Sequence, residues 1–308
     1  MERLAPPSAQ ILSDAILERH GDAIAAVLFY GSCLRKRTHE GVHDFYVVVD
    51  GYRALYGTGW LAIGNALLPP NVFYLERESP EGTLRAKYAV ISTRHFEHCV
   101  SPRCAHPYVW ARFAQPVLLT FARDPEARDR AVHCVAQAIV TLVQRLAVFL
   151  PAKGRVQRFS LAALWQEAFQ RTYQAEIRAE SPEMVRSLYR TESARYDQAG
   201  GEALAVLESG GWLDRVSTRG RAVEVEMDPG RRLRSRWRWW SLRPLAKLLA
   251  VLRLLKTAGT FGDWLPYALW KLERHTGVRI EPSERQRRHP LIFGWPVILT
   301  LLLRRRLR

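Results

Sequence analysis

Apolar residues recur at helical spacing over residues 8–21, where Ile11, Leu12, Ala15 and Ile16 line one face between a capping Ser8 and a terminating Gly21. An unbroken apolar run, Ile24–Tyr30, ends at Gly31-Ser32 and predicts a buried strand. Residues 45–49 form a second such run, opened by Asp44 and closed by Asp50-Gly51. Residues 71–76, 86–92 and 117–121 predict three further strands, and 53–70, with Gly57, Gly59 and Gly64, reads as a long loop. From Pro125 the period lengthens. Residues 125–150 predict a long helix with a broad apolar face, and 159–178, 181–196 and 200–207 continue as helices. Residues 211–227 read as a β-hairpin turning at Arg219-Gly220. Helices followed by one hairpin predict a small winged-helix-like domain.

The whole is therefore expected to be an α+β protein: residues 1–124 as a mixed sheet with helices, 125–228 as the helical domain, and 229–308 as a C-terminal region. At 48% hydrophobic and 25% charged, the 308 residues have the composition of a folded protein. Charge sharpens the last boundary. Residues 1–228 hold 27 Lys+Arg against 26 Asp+Glu, whereas 229–308 hold 19 against 4, together with six of the ten Trp. A near-neutral body thus carries a basic, aromatic tail. Within it, 231–240 alternate Arg with Trp, and 245–255 place leucines on most faces of an amphipathic segment. Trp beside Arg suits a headgroup layer, where each basic residue is worth about 1 kcal/mol near an anionic leaflet. Nucleic acid would account for the charge but not for the leucines or for 290–303 (PLIFGWPVILTLLL). An anionic membrane surface is the expected partner, and no nucleic acid is expected. Residues 290–303, broken by Gly294 and Pro296, read as folded against the protein or an interface rather than spanning a bilayer.

Four cysteines are too few and too scattered for a disulfide framework, and the N-terminal residues lack the apolar core of a cleaved signal. Cys99 and Cys104 with His98 and His106 lack a second ligand pair at zinc spacing, so metal is not expected there.

The candidate chemistry lies between the first two strands. Gly31 lets backbone approach a triphosphate, and the Ser32 hydroxyl can bind its oxygens. Twelve residues on, Asp44 offers a hard oxygen for Mg2+ at the head of the next strand. This is the skeleton of a polymerase-β-like nucleotidyltransferase, which usually adds a second carboxylate two residues along; here that place holds Tyr46. Asp50 shares the face of Asp44 but lies ~20 Å away along a straight strand, so as a metal ligand it needs a bend. Lys87 heads a strand where a cation would neutralise triphosphate charge, and Arg112 suits a phosphate monoester. Tyr173 and Glu176 stand three apart on a predicted helix, with Arg178 following. His39 and His43 read as solvated loop histidines.

A longer series of motifs, in order along the chain, resembles one family. Phe29-Tyr30-Gly31-Ser32 followed by Asp44-Phe45-Tyr46-Val47-Val48-Val49-Asp50 resembles the mitochondrial translocator-assembly-and-maintenance type of phosphatidate cytidylyltransferase and its bacterial relatives. Asn71-Val72-Phe73-Tyr74, Lys87-Tyr88-Ala89-Val90-Ile91-Ser92, Arg112 with Pro116-Val117, Tyr173-Gln174-Ala175-Glu176-Ile177-Arg178 and Gly211-Trp212-Leu213 continue the resemblance over roughly residues 25–215. An apolar or aromatic residue at the Tyr46 place is that family's own pattern. Two departures stand out: Cys33 replaces the glycine after the serine, and Ala175-Glu176 replace Gly-Asp. The resemblance implies Mg2+-dependent transfer of CMP from CTP to phosphatidic acid, giving CDP-diacylglycerol and pyrophosphate in phospholipid biosynthesis. It implies Tyr30, Gly31, Ser32 and Lys87 around the nucleotide, Asp44, Lys87 and Arg112 in catalysis, and Asp44 and Asp50 around the metal. Arg112, Tyr173, Glu176 and Arg178 would hold the acceptor, and the protein would sit peripherally on the cytoplasmic face of a bacterial inner membrane. Transfer to RNA or a soluble acceptor, and a membrane protein that keeps the fold without catalysis, are the rival readings.

Overall fold

The computed structural model describes residues 5–80, 82–175, 182–220 and 222–260. Helix α1 (Pro7–His20) leads through a 3-10 turn into β1 (Ile24–Tyr30), α2 (Ser32–Lys36) and β2 (Val42–Val49). Helices α3 (Tyr52–Tyr56) and α4 (Trp60–Leu67) precede β3 (Asn71–Ser79) and β4 (Gly82–Ser92). Helices α5 (Thr93–Val100) and α6 (Trp110–Phe113) lead to β5 (Val117–Ala122). The five strands form one mixed sheet, ordered β3-β4-β2-β1-β5, with only β2 and β4 parallel. This is the α+β class and the strand–turn–strand order expected of the N-terminal half.

The inner strands β1 and β2 are buried on both sides, which is why they read as continuous apolar runs rather than alternating ones. Alternate residues nevertheless enter different cores. Val27, Phe29, Phe45, Val47 and Val90 pack beneath α1 with Leu12 and Ile16. Leu28, Tyr46, Val48, Ala89 and Ile91 pack on the other face, against the helices that follow.

Those helices begin with α7 (Pro125–Leu146), started by Pro125 in its first turn and by Asp124, whose Oδ1 accepts the Ala127 amide at 2.7 Å. It is long and apolar enough to cross a membrane, but much of its surface is buried inside the protein. Strands β6 (Ala152–Lys153) and β7 (Val156–Ser160) precede α8 (Leu161–Ala175), α9 (Pro182–Thr191) and α10 (Ser193–Ser209). The hairpin β8 (Arg215–Arg219) and β9 (Ala222–Glu226) turns where predicted and joins β7 and β6 in a second sheet, ordered β6-β7-β9-β8. The apolar cluster on the Leu28–Tyr46 face runs through α7, α8 and α10 to Val225 and Trp239.

Three sequence expectations change. Residues 53–70 are not a loop: Gly57, with φ +66°, ends α3, and Gly59 starts α4, so these glycines are helix punctuation. Phe159 opens no helix. It lies in β7 opposite Val223, a pairing across more than sixty residues that local periodicity does not reveal. Residues 200–207 belong to α10 rather than to a separate helix.

The basic region starts as a long helix, α11 (Pro229–Thr260), containing Pro244. Trp239, Ala246 and Arg253 are buried at seven-residue spacing, a stripe that packs on the body, while most leucines face outward. Trp264, Trp270, Trp295 and residues 290–303 lie outside the described residues.

Candidate active site

Strand register brings four of the site residues into one row. Tyr30 on β1 stands opposite Asp44 on β2, Asp44 opposite Lys87 on β4, and Lys87 opposite Tyr74 on β3. Two residues further along the same face, the next row is Leu28, Tyr46, Ala89 and Val72, all in the core shared with α7 and α8. The first row therefore lines the rim where the sheet leaves that core, and Asp44 and Lys87 are both half-buried there.

Asp44 and Gly31 are pressed together. Gly31 has φ +93°, and a Cβ added to it would lie 2.6 Å from Asp44 Oδ2. Only glycine meets both conditions, the left-handed backbone and the close carboxylate. Ser32 follows, exposed, at the start of α2. Cys33 points the other way, buried beneath the sheet with its thiol donating to the Val42 carbonyl at 3.3 Å, so it does not fill the space over Gly31. Mg2+ is commonly held by one or two carboxylates together with phosphate oxygens and water. A single strand carboxylate against a backbone stripped of Cβ fits that donor set. Among the described residues no second carboxylate shares the row.

Two guanidiniums gather behind it. Arg112, 8% exposed, stacks on the Tyr108 ring at 3.9 Å and donates to the Tyr108 carbonyl. Arg253 reaches in from α11, 5% exposed, and covers the same ring at 4.5 Å. Its Nε donates to the Pro69 carbonyl at 2.8 Å and its Nη2 to His106 Nε2 at 2.9 Å. Between them the Tyr46 hydroxyl is buried with no hydrogen-bond partner among the described residues. Burial, then Tyr108, push its pKa well above the ordinary range, while Arg112 and Arg253 pull the other way.

The remaining predicted residues divide. Tyr173 sits near the end of α8, partly buried against the shared core; Glu176 and Arg178 lie outside the described residues. Asp50 is not brought to Asp44. It lies past the opposite end of β2, and its carboxylate takes both Nη atoms of Arg123 at 2.6 and 3.2 Å. Glu76 is engaged by the Tyr74 hydroxyl at 2.6 Å and by Arg85 at 3.1 Å. His43 is no loop histidine. It lies in β2, buried on the face opposite Asp44, 3.2 Å from Ser8 Oγ, and desolvation lowers its pKa. His39 is exposed as expected.

Sequence reasoning missed Tyr74, Tyr108 and Arg253. Only the strand register could have paired Tyr74 with Lys87, and nothing local marks Arg253 among the leucines. Cys99, Cys104 and His106 also converge, their ligand atoms all within 4.8 Å, although linear spacing disfavours a site there.

No protein-family model matches this chain, and no curated protein matches it. Among solved structures, it is similar to a nucleotidyltransferase-like protein from Exiguobacterium sibiricum, with 9% identity and a TM-score of 0.27 over 72% of this chain and 99% of that one. Likeness at that level assigns neither substrate nor site residues.

Proposed function

We propose that this chain is a Mg2+-dependent nucleotidyltransferase acting at a membrane, and specifically a phosphatidate cytidylyltransferase that converts CTP and phosphatidic acid to CDP-diacylglycerol and pyrophosphate. The observation that carries the reading is the contact between Asp44 and Gly31 at the head of the Tyr30–Asp44–Lys87–Tyr74 row. A carboxylate held against a Cβ-free turn, beside a lysine and in front of two buried arginines, is an arrangement for polyphosphate. The motif resemblance supplies the identity of the nucleotide and acceptor.

In this reading Gly31 and Ser32 receive the triphosphate, and Lys87 offsets its charge. Asp44 would hold Mg2+, which supplies charge neutralisation at the phosphate oxygens. A phosphatidate oxygen forms its bond to the α-phosphorus as the bridging bond to the β-phosphate breaks, and pyrophosphate leaves with that electron pair. The attacking phosphate monoester is ionised at neutral pH, so no strong base is required. That agrees with the histidines: His43 faces away from the row and His39 is solvated. Arg112 would position the acceptor phosphate, with Tyr173, Glu176 and Arg178 as further acceptor contacts. Asp50 as a second metal ligand is not retained in the reading, because Arg123 occupies it at the far end of β2. The basic, apolar surface of α11 would hold the protein peripherally on the anionic leaflet that contains its substrate.

The test is incubation of the purified chain with CTP, Mg2+ and phosphatidic acid vesicles. Equal amounts of CDP-diacylglycerol and pyrophosphate are expected, and none from the Asp44→Asn variant. Transfer to RNA in place of lipid, or no transfer at all from CTP, would overturn the assignment.

A further inference from the structure

The described residues expose fourteen large hydrophobic side chains, and twelve of them lie on only two elements, α4 and α11. On α4, Trp60, Ile63 and Leu67 are 61%, 60% and 80% exposed and share one face, while Ala62 and Asn65 turn inward. Residues 57–68 of the body carry no Asp, Glu, Lys or Arg that would keep such a face in water. On α11, Leu248, Val251, Leu252, Leu254 and Leu255 face outward, opposite the buried Ala246 and Arg253.

The two faces are fixed to each other. Lys256 of α11 donates to the Gly64 carbonyl at 3.4 Å and to the Leu68 carbonyl, both at the C-terminal end of α4. Arg253 Nε takes the nearby Pro69 carbonyl at 2.8 Å. Cations at a helix C-terminus also complement its dipole. Two exposed apolar faces are thus tied together at the end of α4, and adjoining exposed apolar surface of this kind marks an interaction site.

We propose that α4 is a membrane-contacting element of the catalytic body, forming with the outward face of α11 a single surface that lies on an anionic bilayer. Charge selects the occupant. Residues 229–260 contain nine Lys or Arg and no Asp or Glu; with Arg253 and Lys256 turned to the body, the other seven leave a surface of one sign that matches acidic headgroups. The choice of bilayer as partner rests on the lipid-acceptor reading above. The consequence is orientation: Arg253, which ties α11 to α4, also covers Tyr108 beside Arg112, so a docked surface sets the candidate site at a fixed height over the leaflet.

The experiment compares the full chain with its Trp60→Ser/Ile63→Ser/Leu67→Ser variant by flotation with phosphatidylcholine–phosphatidylglycerol vesicles. Melting temperature, solution mass and turnover of CTP with a water-soluble short-chain phosphatidic acid are measured alongside. The variant is expected to partition about a hundredfold more weakly, with unchanged melting and unchanged short-chain turnover. Undiminished flotation would overturn the proposal, whether a second copy (seen as a change in mass) or residues 261–308 cover α4 instead. If the triple variant melts lower, Leu67→Ser alone, at the most exposed position, should still weaken partitioning about fivefold; no change would be equally fatal. Weakened flotation without turnover by either protein would leave this surface standing and remove the cytidylyltransferase reading.

Discussion

Asp44 lies near the start of β2 and Asp50 just past its end, and their surroundings differ in almost every respect. Asp44 is half-buried, pressed against a left-handed glycine, with Lys87 opposite and two buried arginines one step behind. Asp50 is exposed and forms a two-pronged ion pair with a single exposed arginine. A carboxylate engaged by a permanent side-chain cation has its charge satisfied within the protein. Asp44 lies instead against backbone that has no Cβ. The resembling pattern contains both aspartates; only the first stands in the row with Tyr30, Lys87 and Tyr74.

The sharpest way to break that contrast is to neutralise Asp44. Asp44→Asn keeps size and removes charge, and nucleotidyl transfer should fall by about a thousandfold or more. Thermal stability should hardly change, because a half-buried carboxylate near a rim is not a packing element. Initial rates with CTP and phosphatidic acid, set beside a melting curve, check both halves. A rate within tenfold of the unaltered protein would remove Asp44 from the site.

Gly31→Ala tests the cradle itself. The new methyl would meet Asp44 Oδ2 at 2.6 Å on a backbone with φ +93°, so either the carboxylate or the turn must move. A rate loss of roughly a hundredfold is expected, with about 1–3 kcal/mol of stability lost to strain. Denaturant melts and kcat/KM separate the two effects. Cys33→Gly, which restores the residue usual in the resembling family, should leave rate almost intact, because that thiol faces the opposite core.

The residue preceding Asp44 extends the comparison to the other face of the sheet. His43 and, nearby, His20 are held neutral by burial, with the pKa of His20 lowered to about 4. A folded-state pKa below the unfolded value near 6.5 means that the unfolded chain takes up protons first as pH falls. Stability should therefore be complete above about pH 6.5 and decline towards pH 4, with His20 contributing part of the loss. Urea melts at pH 7 and pH 4.5 measure the decline, and His20→Gln should flatten it. Transfer activity at pH 7 should survive His43→Gln; abolition in a protein that still folds would make His43 part of the chemistry.

Much of this was legible in the chain itself. The run ending at Gly31-Ser32 predicted β1 residue for residue, and the run 45–49 predicted the apolar part of β2, which begins three residues earlier at Val42 and takes in His43 and Asp44. What could not be read is everything set by distant pairing. Glycines 57 and 59 look alike in a loop and at helix ends; only the packing of α4 decides. Phe159 enters a strand because β9 is there to receive it. Arg253 was one cation in a leucine-rich tail until its place in the buried stripe with Trp239 and Ala246 carried it to Tyr108. The start of the tail thus packs on the body beside Arg112 and Tyr108, which net charge alone conceals.

The smallest effect should come from the other aspartate. Asp50 and Arg123 sit largely in water, where the Coulomb attraction is weak and two side chains must be ordered to obtain it. Arg123 also retains Asp124 at 3.3 Å and the Asp22 carbonyl at 3.3 Å, so it stays anchored when Asp50 is altered. Asp50→Asn should then change the transfer rate by less than about twofold and the melting temperature by about a degree or less. Salt should erase even that difference, since exposed pairs are screened. Asp50→Asn and Asp44→Asn, assayed together across a Mg2+ titration, decide the matter most directly: only Asp44→Asn should alter the Mg2+ dependence. A shift of comparable size in Asp50→Asn would require the far end of β2 to act on the metal, which the arginine occupying Asp50 opposes.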